Sequence, residues 1–333
     1  MSKLTYGLSA LLLVQLLVGE ALYWNHQQKK HDAVDVQQAL LIPDADQIDK
    51  ITIQEGGKRL TLQKTGDHWQ LPDTQLPVDQ AKMDGLMTKF STLNGGWPVA
   101  TTASSHERFE VAENKYQRHV ILYQGETSKA ELYVGNSPGF RKAHVRKAGS
   151  DAVYAAQLNT FELPTLADDW LDKTLLASKG VKRIQGSDYV LEKQQENWSL
   201  VSPVNSELNQ QKAKDLVAAF ESLRVTGRIE RAVDETNSGT QTAVIQITND
   251  TNELSYSFIQ LGGNYVVKRS DVDHYFSLSE ADYQRITALT AAQLQAASPP
   301  ADEAQGVPAD QGTDAETGPA SELDFKENAP LPQ

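Results

Sequence analysis

The chain contains no cysteine among its 333 residues. That absence excludes disulfides, thiolate metal sites and a cysteine nucleophile together. It is compatible with a periplasmic location without identifying one. Glycine-rich phosphate loops are also missing, since neither G-x-G-x-x-G nor a Walker sequence occurs. The seven histidines are His26, His31, His68, His106, His119, His144 and His274. No two of them form the i, i+4 pair with an intervening glutamate that marks a helical zinc site. No cofactor and no metal site are therefore expected. Positive charge is in deficit, with 31 Lys and Arg against 44 Asp and Glu, for a net −13. Nothing in the chain is basic enough to expect nucleic acid as a partner.

One catalytic pattern occurs. Gly135-Asn136-Ser137-Pro138-Gly139 satisfies G-x-S-x-G. A nucleophile elbow uses the amide of the residue after the serine in its oxyanion hole. Here that residue is Pro138, which has no N–H. The pattern is read as a turn between strands, and the chain is expected not to be an enzyme.

What is present is a duplicated tryptophan segment. Leu60–Leu71 reads LTLQKTGDHWQL and Tyr189–Leu200 reads YVLEKQQENWSL. Leu62, Lys64, Trp69 and Leu71 recur as Leu191, Lys193, Trp198 and Leu200. Each segment alternates apolar and polar residues, as half-buried strands do. Each is followed by an amphipathic stretch, Val78–Leu93 and Leu208–Leu223. In these, Leu86, Met87, Phe90 and Leu93 match Leu216, Val217, Phe220 and Leu223, one face of a helix. Asp79 and Asn209 stand at the N-cap positions. Trp69 and Trp198 are expected to pack under these helices as core residues rather than to serve as ligand platforms.

Further strands follow in each half. They are expected at His119–Tyr123, Lys129–Val134, Lys142–Lys147 and Ala152–Ala156, then at Ala243–Thr248, Leu254–Leu261, Tyr265–Arg269 and His274–Ser277. Short helices are expected near Leu158–Leu166 and Glu280–Leu289. The order lacks the strict alternation of a parallel sheet, so the expected fold class is α+β: two tandem repeats of an antiparallel-sheet-plus-helix unit. The expected segments are 1–30 (anchor and juxtamembrane stretch), 43–176 (first repeat), 177–292 (second repeat) and 297–333 (tail). Asp168–Lys179 is too apolar for a flexible tether, so the repeats are expected to pack on each other.

Both termini differ from this body. Leu4–Trp24 is mainly apolar over 21 residues, and a helix of that length rises ~30 Å, enough to span the hydrocarbon core. Val18-Gly19-Glu20 is a poor small-x-small cleavage match, which favours an uncleaved anchor over a signal peptide. Gln15 and Glu20 are candidate intramembrane contacts, because polar groups at membrane depth tend to find partners. The chain is expected to cross a bacterial inner membrane once through residues 4–24, with its bulk periplasmic. From Ser298 onward eight acids and one lysine supply −7 of the net −13. That stretch holds six of the thirteen prolines, so a disordered acidic tail is expected.

Arg141, Lys142, His144, Arg146 and Lys147 form the only basic cluster. On a strand, Lys142, His144 and Arg146 would share a face. They are a candidate interaction surface for an acidic partner, a lipid headgroup or the acidic tail. An edge strand kept soluble by charge would look the same.

The W-x-L strand, the AKMDGLM helix, ELYVGNSPGFRKAHVRKAGSDAVYAA and DDWLDKTLL together resemble a bacterial domain-of-unknown-function family, DUF4340. The resemblance covers about Pro43 to Thr290. It implies a membrane-anchored accessory part of a gliding-motility-type ABC transporter system, and it carries no catalytic residues. The function expected is a non-enzymatic, membrane-anchored periplasmic module docking on an ABC permease or a related envelope protein. The alternative is a ligand- or glycan-binding protein using a cleft between the repeats, lined by Trp97, Trp170, Tyr133 and Tyr154.

Overall fold

The computed structural model describes Gln15, Glu20 and residues 41–204, 207–229 and 240–296. The expected anchor, apart from Gln15 and Glu20, lies outside the described residues, as does the expected tail 297–333. Among the described residues no helix is long and apolar enough to cross a membrane. The fold is mixed, mostly antiparallel sheet with few helices.

The first sheet contains β1 (Lys50–Glu55), β2 (Lys58–Thr65), β3 (His68–Leu71) and β4 (Leu76–Pro77). Helix α1 (Gln80–Thr92) and β5 (Pro98–Ala100) come next. A small lobe then holds α2 (His106–Phe109), β6 (Val111–Ala112) and β7 (Lys115–Tyr116). The sheet is completed by β8 (Arg118–Gln124), β9 (Thr127–Val134), β10 (Ala143–Lys147) and β11 (Val153–Ala156). The second sheet contains β12 (Arg183–Gln185), β13 (Val190–Gln194), β14 (Asn197–Ser202), then α3 (Gln210–Glu221) and β15 (Val225–Ile229). It continues with β16 (Thr240–Thr248), β17 (Glu253–Leu261), β18 (Asn264–Arg269) and β19 (Tyr275–Leu278), followed by α4 (Glu280–Thr287) and α5 (Ala291–Leu294).

The strand order is β4-β3-β2-β1-β8-β9-β10-β11-β5 in the first sheet and β14-β13-β12-β16-β17-β18-β19-β15 in the second. With β4 set aside, corresponding strands occur in the same order. In both sheets the strand that follows the helix returns to the far edge, as β5 and β15.

Period-two alternation explains the pairing. In β1, Ile51 and Ile53 face inward and stand opposite Leu62 and Leu60 on one side and Leu122 and Val120 on the other. A one-residue slip would turn this row to solvent, so the register is firmly set. On α1, Met83, Leu86 and Phe90 are buried at helical spacing; Ala213, Leu216 and Phe220 do the same on α3. Each of the leucine, methionine and phenylalanine side chains contributes about 1.5–3 kcal/mol by leaving water. The caps form as expected, with the Lys82 amide donating to Asp79 Oδ1 at 3.0 Å and the Lys212 amide to Asn209 Oδ1 at 3.1 Å. Trp69 and Trp198 are both buried. One continuous apolar cluster runs from Leu41 to Leu294 through both sheets.

One expected helix differs. Around Leu158–Leu166 there is only a 3-10 turn, Thr160–Glu162, capped by Asn159. Pro164 gives the reason: it lacks the N–H of a helix interior and disfavours helical backbone at Leu163. Glu280–Leu289, by contrast, forms α4, and its Tyr283 and Ile286 enter the core.

Candidate functional site

The difference between the turn at Thr160–Glu162 and α4 opens a site beside α1. Helix α4 packs on α3, and Arg285 donates to Ser222 Oγ at 3.5 Å across them. The turn meets α1 through the Lys89–Glu162 ion pair. A space of about 360 Å³ lies between Lys82, Gly85 and Lys89 on the helix and Phe161 and Glu162 on the turn. It is crossed by the Lys89–Glu162 ion pair. At the C-terminal end of α1 a larger cleft of about 750 Å³ is lined by Lys89, Leu93, Gly95, Gly96, Trp97 and Lys142, among others.

The Asn94–Trp97 loop shapes this cleft. The chain takes five residues from α1 to β5 but only three from α3 to β15. Gly95 lies so close to the Tyr154 ring that a Cβ there would sit 2.3 Å from it, and Gly96 has a φ of +58°. No other residue type satisfies both positions without movement. The loop leaves Trp97 58% exposed, with Val99 on β5 at 46%.

The expected basic cluster does not form one surface. His144 and Arg146 share a face of β10, but the α2–β7 lobe covers that face and buries both. His144 Nδ1 lies 2.9 Å from Asn136 O and 2.7 Å from Asn136 Oδ1, so two acceptors assign the proton to that nitrogen. Burial lowers its pKa, against the hydrogen bond that the ring donates to Asn136 O. Arg146 donates to Val111 O at 2.7 Å and lies over the Tyr133 ring. Lys142 and Arg141 are exposed, and Lys147 is half-buried. Only Lys142 of the five lines the cleft. Of the four aromatic residues expected in a cleft, only Trp97 lines it. Trp170 and Tyr133 are buried, and Tyr154 packs behind Gly95. The cleft belongs to the first sheet's helix rather than to the junction of the two halves. Gln15 and Glu20 are helical and exposed.

Ser137 is held inside its own turn. Its hydroxyl contacts Gly139 O and Lys142 O, both at 2.7 Å, and accepts from the Gly139 amide at 3.2 Å.

Two features were not anticipated from the sequence. On the outer face of the first sheet, His119 Nε2 lies 2.7 Å from Glu131, and Tyr133 donates to the same carboxylate at 3.2 Å. Burial together with Glu131 pushes the Tyr133 phenol up to about 12. Alternation places His119, Glu131 and Tyr133 on one face, but their neighbours come from the distant lobe. The second feature is Lys82. It donates to Asp169 O at 2.7 Å with its ammonium over the Trp170 ring, and burial lowers its pKa although Asp169 and Asp79 act to raise it. Among the described residues no group of three or more His, Asp or Glu could hold a metal ion.

A family model described as "Domain of unknown function (DUF4340)" matches residues 69–242, from Trp69 on β3 into β16. Neither a search of curated proteins nor a search of solved structures finds a match. The matched stretch contains α1, the cleft and the linker to the second sheet, and with more than half of the 333 residues matched the chain belongs to the DUF4340 family.

Proposed function

We propose that this chain is a non-enzymatic accessory module, anchored in the inner membrane by residues 4–24, that docks on an ABC permease or related envelope protein from the periplasmic side. Its body is read as a tandem duplication whose two copies have diverged. The observation that carries the reading is the asymmetry of the copies. The same strand order carries α4 packed on α3 in the second unit and, in the first, a 3-10 turn and a cleft near α1 with Trp97, Val99 and Phe161 exposed. Exposed apolar residues grouped beside a cleft are the usual mark of an interaction site. The capture of the Ser137 hydroxyl within its turn favours a non-enzymatic role.

Affinity purification of the tagged full chain from detergent-solubilised membranes tests this. Recovery of a permease, reduced in Trp97→Glu, is expected; repeated recovery of the chain alone would overturn the reading. A second reading, binding of an envelope glycan, is favoured by Trp97 in a cleft of about 750 Å³. Thermal stabilisation of the chain by envelope glycans, lost in Trp97→Ala, would establish it instead.

A further inference from the structure

The connection between β9 and β10 has no equal in the second unit. There β17 joins β18 through Gly262 and Gly263 alone, with neither a ring nor a charge. The first unit uses eight residues, Gly135 to Lys142. They end in a tight turn closed by the Lys142 amide, which donates to Gly139 O at 3.2 Å. Ser137 braces it from within, its hydroxyl 2.7 Å from both Gly139 O and Lys142 O. Phe140 and Arg141 stand at the tip. Phe140 is 86% exposed, and Arg141 holds a φ of +55° with its guanidinium 4.9 Å from the Phe140 ring centre. A residue other than glycine keeps a left-handed backbone where its surroundings impose it. The brace thus holds an apolar ring and a cation side by side in solvent.

The neighbours extend this character. Lys142 is exposed and lines the cleft together with Trp97, and no acid lines that cleft. Arg108 is exposed on α2, next to the exposed Glu107, and Asn136 Nδ2 ties its carbonyl to the loop at 3.1 Å. Among the described residues Arg108, Arg141 and Lys142 make no ion pair. The chain also enters the fold at this end. The Leu41 amide donates to Leu93 O at 2.9 Å, where α1 stops and the Asn94–Trp97 loop begins. Sixteen residues lie between Trp24 and Leu41. They span at most about 55 Å, so a tether to residues 4–24 attaches the fold by this end.

We infer that the Phe140–Lys142 turn rests on the bilayer that holds the anchor, as a contact surface for anionic lipid. Phe140 enters at headgroup level, as aromatic residues do at membrane interfaces. Arg141, Lys142 and Arg108 meet the lipid phosphates, each cation favouring the bound state about fivefold. The inference rests on the anchored reading and adds which end of the module faces the membrane. Trp97 and Val99 then stand beside the headgroups, where a permease in the same bilayer reaches them.

The lack of cysteine supplies the test, because a single introduced cysteine carries the only label. An environment-sensitive fluorophore is attached at Pro138→Cys, which leaves Phe140, Arg141 and Lys142 in place. The full chain is reconstituted in nanodiscs of phosphatidylethanolamine and phosphatidylglycerol, with no other membrane protein present. Asn264→Cys, exposed at the matching turn of the second unit, is the control. Quenching by a neutral aqueous quencher should be at least about fivefold weaker at 138 than at 264. Protection should be lost in Phe140→Glu and in Arg141→Glu with Lys142→Glu, with the thermal midpoint unchanged. Equal quenching at the two positions would overturn the inference, as would protection that survives both variants or is as strong in phosphatidylcholine alone. Protection that persists in detergent without lipid would overturn it too, showing that a second copy or the acidic stretch 297–333 covers the turn. If the chain co-elutes with the discs while position 138 stays open, the surface fails and the anchor stands. If the chain does not co-elute, both fail.

Discussion

The first and second sheets share one strand order but differ in how they are finished. Around the second, α4 places Tyr283 and Ile286 in the core, and the linker caps β15. Around the first, a 3-10 turn stands where a helix would, and β5 has no cap among the described residues. The inner faces agree because packing demands it: Phe90 and Phe220, Trp69 and Trp198, and the cap pair Asp79 and Asn209 hold equivalent places. Residues outside the core bear no such constraint, and there the sheets part. Shared packing is a signature of the fold. The unshared surface is where a partner-specific role belongs.

The linker offers the most severe way to break this comparison, because it serves both halves. Trp170 is fully buried, its indole N–H donates to Pro164 O at 2.9 Å, and its carbonyl accepts from the Asp79 amide at 2.7 Å. Trp170→Ala should cost about 3–5 kcal/mol in a urea titration and lower the stability of both sheets together. A loss confined to the first sheet would show that the halves are energetically separate. Next in size is the contrast between α4 and its counterpart turn. Tyr283→Ala should cost about 3 kcal/mol, whereas Phe161→Ala, at an 86% exposed ring, should stay within about 0.5 kcal/mol. Equal costs would mean that the turn seals α1 as α4 seals α3. Smaller again is Asp168→Ala, which leaves the Arg228 amide and guanidinium without that acceptor. A cost of about 1–2 kcal/mol is expected, with faster amide exchange along β15.

The smallest effect depends on pH. Burial lowers the folded-state pKa of His144 below the ordinary histidine value of about 6.5. The unfolded chain then takes up the proton more readily. Stability is full above that value and is lost as pH falls from it through the folded pKa. His144→Gln should lose less stability on mild acidification than the wild type, as measured by thermal midpoints between pH 7 and pH 5. Val266, which does not titrate, holds the corresponding place on β18.

Local pattern was enough to read the parts of the fold that local pattern encodes. The tryptophan segments, the helix faces and the caps follow from spacing, and strands β8 to β11 and β16 to β19 lie within a few residues of their expected bounds. Ile51 and Ile53 carry the same alternation on β1, so that strand was legible but not singled out. The missing helix at Leu158–Leu166 was also signalled, by Pro164. The basic cluster was not legible as it stands. Alternation correctly pairs His144 with Arg146, but only the folded α2–β7 lobe, built from residues outside that strand, shows that their face is covered. The cleft was half legible. Two glycines and a tryptophan between a helix and a strand mark a tight, exposed loop, yet its openness comes from a helix that the first half lacks.

Amide hydrogen exchange on the intact chain tests the central contrast most directly. The Val225 and Arg228 amides, bonded to Lys173 and Asp168, should exchange only through larger openings of the second sheet, while Trp97 and Val99 exchange far faster. If the docking proposal holds, addition of a solubilised ABC permease recovered with the chain should slow Trp97 and Val99 and leave Val225 and Arg228 unchanged. Equal protection of the two edges in the isolated chain would contradict the account.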